Sequence, residues 1–239
     1  MKNVYGDFSR YYDMLGWNIF ARISARRLKA FFKNRGEKPE TVLDLACGTG
    51  ELEKLLAKTG IEFTGVDASA GMLREARKKL PQAAFVRGDA AEVRLNRKFD
   101  MVLLLFDSAN HMHSLAHLFR VFKNARRHLN HGGYFIFDIN TPSGLKAWEE
   151  TNIIRAQNYT VITSGTYQAE EMVAEVIIEG FIKKGRTYKR TVQLLTERAY
   201  DTSEVINGLV KSKLDKIVIT SFDPAEELED AGRLWFVCS

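Results

Sequence analysis

Cysteine is nearly missing from this chain: Cys47 and Cys238 are the two in 239 residues. So few thiols fit a reducing compartment and cannot build a cysteine-held metal cluster, so no metal is expected. Both are read as small buried residues. Long apolar runs are missing as well. None approaches the roughly 20 residues that span a bilayer, so no membrane partner is expected. The opening M-K-N-V-Y-G-D-F-S-R-Y-Y-D has no apolar signal core, so a cytoplasmic protein is expected. Internal repeats and low-complexity segments are absent too. What remains is 45% hydrophobic and 27% charged, a balance ordinary for a soluble globular fold of one large domain, or of a core with an insert.

Excess charge of one sign is also modest. The net charge is +5, and basic residues concentrate in R-I-S-A-R-R-L-K at 22–29, R-E-A-R-K-K at 74–79, K-N-A-R-R-H at 123–128 and K-K-G-R-T-Y-K-R at 183–190. The first three read as solvated faces of amphipathic helices. The last, across a hairpin turn, is the one candidate for anion binding. Moderate basicity alone does not make a nucleic-acid protein.

What is present concentrates in V-L-D-L-A-C-G-T-G at 42–50. An apolar run ends in Asp44 and passes into the turn Gly48-Thr49-Gly50. E-L-E-K-L-L-A-K then places Leu52, Leu55 and Leu56 on one helical face. Strand, tight turn and helix bring backbone close to a ligand and aim helix N–H groups at it. A second apolar run, I-E-F-T-G-V-D, ends in Asp67, where a carboxylate can accept hydrogen bonds from both hydroxyls of a ribose. An adenosine-containing ligand is therefore expected. A dinucleotide site wants G-x-G-x-x-G, but the third glycine position is Glu53, and Glu51 sits just inside the helix. These acids, with Asp44, would repel a pyrophosphate and favour a cation.

D-L-A-C-G-T-G-E-L resembles motif I of the class I S-adenosylmethionine-dependent methyltransferases, and G-V-D-A-S at 65–69 their motif II. R-G-D-A-A at 87–91 is similar to the segment that meets the adenine. F-D-M-V-L-L-L-F-D-S at 99–108 is similar to their fourth strand, and L-N-H-G-G-Y-F-I-F-D at 129–138 to their fifth. The resemblance implies S-adenosyl-L-methionine as cofactor and S-adenosyl-L-homocysteine as product. In layout, nearly the whole chain is similar to small-molecule enzymes with an N-terminal Y-D motif and antiparallel strands before the last helix. Glycine and nucleotide-sugar N-methyltransferases are of that kind.

Periodicity predicts a helical region over 8–34, strand 41–45, helix 50–58, strand 61–66, helix 70–79 and strand 83–87. Strand 99–105, helix 114–129 and strand 133–139 follow. Apolar strands between amphipathic helices mean a doubly wound, Rossmann-like α/β sheet. From about 152 to 199 the pattern alternates with period two, with turns at Gly165 to Glu171 and at Lys184-Gly185, which predicts three or four antiparallel strands. A helix capped by Asp201 or Thr202 and strands 214–221 and 233–238 complete seven mostly parallel strands, the last antiparallel. The expected organisation is a helical cap over 1–40, a core over 41–148 and 200–239, and an inserted β lid over 149–199.

The resemblance also implies roles. Asp44 would hold the cofactor's amino group directly or through water, while Ala46, Cys47, Gly48 and Gly50 would let its methionine moiety lie on backbone. Asp67 would take the ribose hydroxyls. Ala68 and Met72 would flank the adenine, Asp89 and Ala90 would read its amino group, and Leu105 would give a main-chain contact near the methionine. Tyr12, with Asp13, matches the Y-D motif beside the methionine end, and Trp17 is a candidate wall. Methyl transfer needs positioning first, and a base only where the acceptor must lose a proton. His111 is the candidate base, and Asp107 could orient an acceptor amine. Asn110, beside them after the fourth strand, is a further candidate to touch substrate, and Asp138 and Asn140 point toward the cleft by position, whereas His113, His117, His128 and His131 read as helix-surface or turn residues.

The first reading is methyl transfer to a small-molecule acceptor. A nucleic-acid methyltransferase is the alternative, but F-D-S-A after the fourth strand lacks the N/D-P-P-aromatic motif of amino-methylating nucleic-acid enzymes. A non-catalytic S-adenosylmethionine-binding protein is the other. The acceptor atom and the oligomeric state are not legible.

Overall fold

The computed structural model describes residues 5–239. The N-terminal region is not one helix. A 3-10 turn at Asp7–Arg10 and irregular turns reach Gly16, whose φ of +99° breaks the helical path, and α1 spans Ile19–Arg35. Residues 1–4 of the expected cap lie outside the described residues.

Then come β1 (Thr41–Leu45), α2 (Glu51–Leu56), β2 (Glu62–Asp67), α3 (Ala70–Lys79), β3 (Ala84–Arg87), β4 (Phe99–Leu104), α4 (Leu115–His128) and β5 (Leu129–Asn140). Ser69 and Ser114 cap α3 and α4, their hydroxyls accepting from the amides of Met72 and His117. After α5 (Pro142–Lys146) the chain builds β6 (Asn152–Arg155), β7 (Tyr159–Gln168), β8 (Val173–Lys184) and β9 (Thr187–Arg198). It closes with α6 (Thr202–Lys211), β10 (Ile217–Ser221) and β11 (Arg233–Cys238).

Seven strands form one sheet in the order β10-β11-β5-β4-β1-β2-β3. All neighbours are parallel except β11, which is antiparallel to both β5 and β10. Alternate residues of the central strands face opposite sides. Val42, Met101 and Leu103 pack with Leu28 and Phe32 of α1 and Leu52 and Leu56 of α2. Leu43, Leu45, Val102 and Leu104 pack with Phe122 of α4 and Leu209 of α6. These near-continuous apolar strands are what a sheet buried on both faces requires.

β6 to β9 make a separate four-stranded antiparallel sheet. Gly165 lies inside β7 rather than in a turn. A Cβ there would sit 2.8 Å from the Trp148 carbonyl oxygen, so the glycine marks a close backbone approach, not a reversal. One face of this sheet, with Val161, Val176, Ile178, Ile182 and Leu195, packs on Phe8 and Leu15 of the N-terminal segment.

Candidate active site

A cavity of about 1060 Å³ opens beyond the carboxyl ends of β1, β2 and β4, where a doubly wound sheet gathers its ligands. Its wall carries Tyr12, Ala46, Cys47, Gly48, Asp67, Ala68, Met72, Asp89, Ala90 and His111 of the residues expected from sequence, and also Asp13 and Trp17. Gly48 has a φ of +55° and open space where a side chain would project, so bare backbone faces the cavity there. The Asp67 carboxylate is fixed by its neighbours: Oδ2 accepts from the Gly48 amide at 2.9 Å and Oδ1 from the Ser69 amide at 2.7 Å. Asp89 Oδ1 accepts from the Ala91 amide, with His117 Nε2 at 3.5 Å.

Four of the residues expected to bind cofactor or act in catalysis are not on that wall. Asp44 is 2% exposed, on an interior strand between Gly65 and Leu103. Its pKa is raised by burial and by the neighbouring carboxyl of Glu53, itself pushed up to about 7 by burial. Gly50 turns inward: a Cβ would meet Ala76 Cβ at 3.0 Å, so it allows α3 to pack close. The Leu105 carbonyl already accepts from the Ser108 hydroxyl at 2.7 Å, and Phe106 takes the wall position. Asp107 stands behind the wall because the backbone turns left-handed at Phe106 and Asp107, with φ of +61° and +52°.

Behind the wall lies a polar network that none of the sequence motifs described. Arg233 Nη2 donates to Asp107 Oδ2 at 2.5 Å, Nη1 to Asp138 Oδ2 at 3.4 Å, and Nε to Asn140 Oδ1 at 2.8 Å. The Asp107 amide donates to Asp138 Oδ1, and Asn140 Nδ2 to Glu197 Oε2, both at 2.9 Å. Burial raises the pKa of Asp138 to about 6 and lifts that of Glu197 well above the usual carboxylate range. Asn110 is a strut, donating to the carbonyls of Asn140 and Arg198 and accepting from the Asn140 amide. Asn110, Asp138 and Asn140 therefore brace the site from the interior and do not face the cleft.

His111 joins network and cavity. Its Nε2 is 3.3 Å from the Tyr5 hydroxyl, 3.9 Å from Asp107 Oδ1 and 3.8 Å from Glu197 Oε1, and Nδ1 is 3.4 Å from the Thr196 carbonyl oxygen. Burial lowers its pKa, so the imidazole is held neutral. The His111, Asp107 and Glu197 donors lie within 4.8 Å of one another, with His111 Nε2 3.9 and 3.8 Å from the two carboxyl groups, wider than the spacing of about 3.0–3.4 Å between neighbouring ligands each about 2.1 Å from one metal ion. His113 and His117 also line the cavity, and His128 is a buried strut, accepting from the Leu95 amide and paired with the Asn124 carbonyl. A period-two reading of β9 could have flagged Glu197, a charge on the same strand face as buried Leu195. Arg233 and Tyr5 carry no such signal.

A family described as a methyltransferase domain matches residues 42–133, which hold β1 to β4, α4 and most of the cavity wall. The protein is an S-adenosylmethionine-dependent methyltransferase. The chain is similar to the dTDP-3-amino-3,4,6-trideoxy-alpha-D-glucopyranose N,N-dimethyltransferase of Streptomyces venezuelae, at 28% identity over 159 residues, 65% of this chain and 67% of the relative. A crystal structure of an S-adenosylmethionine-dependent methyltransferase from Clostridium acetobutylicum shares the fold at a TM-score of 0.83, with 24% identity and coverage of 98% of this chain and 97% of the other. S-adenosylmethionine-bound CalS10 from Micromonospora echinaspora, an amino pentose methyltransferase, does so at 0.72, with 20% identity and coverage of 97% and 95%.

The cavity of this methyltransferase suits its cofactor. Asp67 with Asp13 and Glu51, two carboxylates that share the one Lys79 ammonium, leaves the wall beside the glycine turn net negative, which fits a sulfonium and an ammonium and opposes a pyrophosphate. Among the described residues no helix is long and apolar enough to cross a membrane.

Proposed function

We propose that this methyltransferase acts on a small molecule bearing an amine, by in-line transfer, with His111 as the base. The observation that carries the reading is a neutral imidazole on the cavity wall backed by the carboxyl groups of Asp107 and Glu197 within 4 Å of its Nε2. With Nδ1 donating to the Thr196 carbonyl, Nε2 is the basic nitrogen, and it takes the proton an ammonium loses on becoming a nucleophile once the acceptor displaces the Tyr5 hydroxyl from it. Asp107 then stabilises the imidazolium, a positioning role in place of contact with the acceptor, with the buried Glu197 carboxyl beside it. Similarity to an aminosugar N,N-dimethyltransferase supports an amine.

S-adenosylmethionine supplies a methyl group already activated on sulfur. On this reading Asp67 accepts the ribose hydroxyls, the backbone of Ala46, Cys47 and Gly48 bounds the methionine moiety, and Tyr12 stands at its end. Ala68 and Met72 hold the adenine between them, and Asp89 with Ala90 reads its edge. The second sheet and the N-terminal segment act as lid and cap over a core of 41–148 and 200–239, and exclude water from the reacting groups.

Calorimetric titration with S-adenosylmethionine, S-adenosylhomocysteine and NAD tests the cofactor site. The first two bind and NAD does not. Asp67→Ala weakens binding of both by roughly 1–3 kcal/mol, the scale of hydrogen bonds to a charged group; unchanged affinity would remove Asp67 from the ribose site. Labelled-methyl transfer to matched aminosugar and hydroxysugar acceptors tests the amine. Transfer to the hydroxysugar alone would overturn it.

A further inference from the structure

The run R-E-A-R-K-K at 74–79 reads from sequence as a solvated helix face, but its last residue does not behave as one. Lys79 is the C-terminal residue of α3, its side chain only 17% exposed. Its Nζ lies 2.6 Å from Asp13 Oδ2, 2.9 Å from Glu51 Oε2 and 2.9 Å from Thr49 Oγ1. Thr49 Oγ1 in turn donates to Asp13 Oδ1 at 2.8 Å. Asp13, Thr49 and Glu51 all line the cavity, and Lys79 does not.

The three partners come from two distant parts of the chain. Asp13 belongs to the N-terminal segment, Thr49 lies between the two glycines of the β1–α2 turn, and Glu51 opens α2. That segment also supplies Tyr5, Tyr12 and Trp17 to the cavity wall; its apolar side chains cluster with the second sheet, and it meets the core where Gly6 and Ser9 lie against Gly71 of α3. Among the described residues Lys79 is the one basic side chain ion-paired to it from the α/β core. An exposed pair of this kind is worth little, but a largely buried ammonium with three oxygen partners has its donors satisfied and its geometry fixed. Without it, two carboxylates brought to one point would repel, and the segment carrying Tyr12 would lift away from the glycine turn.

We infer that Lys79 is a positioning residue for the cofactor. From outside the cavity it clamps the Tyr12–Asp13 wall onto the Thr49 turn, and it sets the two carboxylates, Asp13 and Glu51, at the spacing that meets the methionine ammonium. This rests on reading the cavity as the cofactor site.

The test is calorimetric titration of S-adenosylhomocysteine into wild type, Lys79→Gln, Lys79→Arg, Asp13→Asn and the Lys79→Gln/Asp13→Asn double variant, with melting of each apo protein alongside. Lys79→Gln weakens binding about tenfold or more, the scale for losing a charge-assisted hydrogen bond, and Lys79→Arg restores much of it. In the Asp13→Asn background the Lys79→Gln effect shrinks, because the two residues form one clamp. Hydrogen exchange over residues 5–18 of the bound state rises in Lys79→Gln, a change a purely stabilising residue elsewhere on α3 would not produce. Wild-type protein that fails to bind S-adenosylhomocysteine overturns the cofactor reading and this inference together. Wild-type binding that carries over into Lys79→Gln within about twofold, or a loss simply additive with Asp13→Asn, overturns the inference alone.

Discussion

Gly48→Val is expected to abolish binding of S-adenosylmethionine and S-adenosylhomocysteine while leaving a folded protein. Two effects act together. At a φ of +55° a residue with a Cβ is strained by about 1–2 kcal/mol, and more when the side chain is β-branched. That cost falls on a turn in contact with solvent, so the fold survives it. No heavy atom lies within 4 Å of the position a Cβ would take, so the isopropyl group projects into the cavity beside Asp67. The Gly48 amide would keep its bond to Asp67 Oδ2, and the loss would be one of space. Calorimetry and thermal melting on the same sample check both halves. Retained binding would mean that the ligand lies elsewhere in the cavity.

Arg233→Met is expected to destabilise the protein by about 3–5 kcal/mol at pH 8, the range for breaking a buried ion pair and leaving its acids behind. Asp107, Asp138 and Glu197 would share an interior with no cation, and methionine would restore only the apolar contact with Phe20 and Phe222. The deficit depends on pH in a definite direction. Asp138 is already raised to about 6 and Glu197 is raised as well, so the folded state holds protons that the unfolded chain releases at about pH 4. Removing the guanidinium raises these folded-state values further. A raised carboxyl contributes stability at low pH that is lost as pH rises through its folded pKa. The variant should therefore fall furthest behind wild type above neutrality and recover toward pH 5. An equal deficit at both pH values would show that Arg233 acts through packing on the two aromatic rings.

The α/β core was legible because each of its elements is decided locally. Asp44 and Asp67 end apolar runs, glycine follows where the chain must turn, and the period of the apolar residues changes from strand to helix. What pointed to the wall also pointed to the core, since one tight turn makes both: Gly48 faces the cavity, while Gly50, two residues on, receives Ala76. Sequence spacing could not separate those two glycines. Asp44 lies off the wall for a similar reason, because a carboxyl at a strand end can face out or in, and here Glu53 meets it inside. The acceptor side was less legible. Arg233, Glu197 and Tyr5 meet His111 and Asp107 from strands and turns separated by most of the chain, and no local rule places them together.

The position of β11 has a consequence for how the chain reaches this state. β10 pairs with β11 alone, so it has no place in the sheet until β11 has docked on β5. During synthesis the edge of β5 therefore stays open until the strand beginning at Arg233 has emerged, and the same residue brings the cation that Asp107, Asp138 and Glu197 need. Sheet completion and charge neutralisation become a single late event, long-range in sequence and correspondingly slow. A ribosome-bound chain ending before Arg233 would display an unpaired strand edge above a cluster of like charges, the species most in need of protection from aggregation.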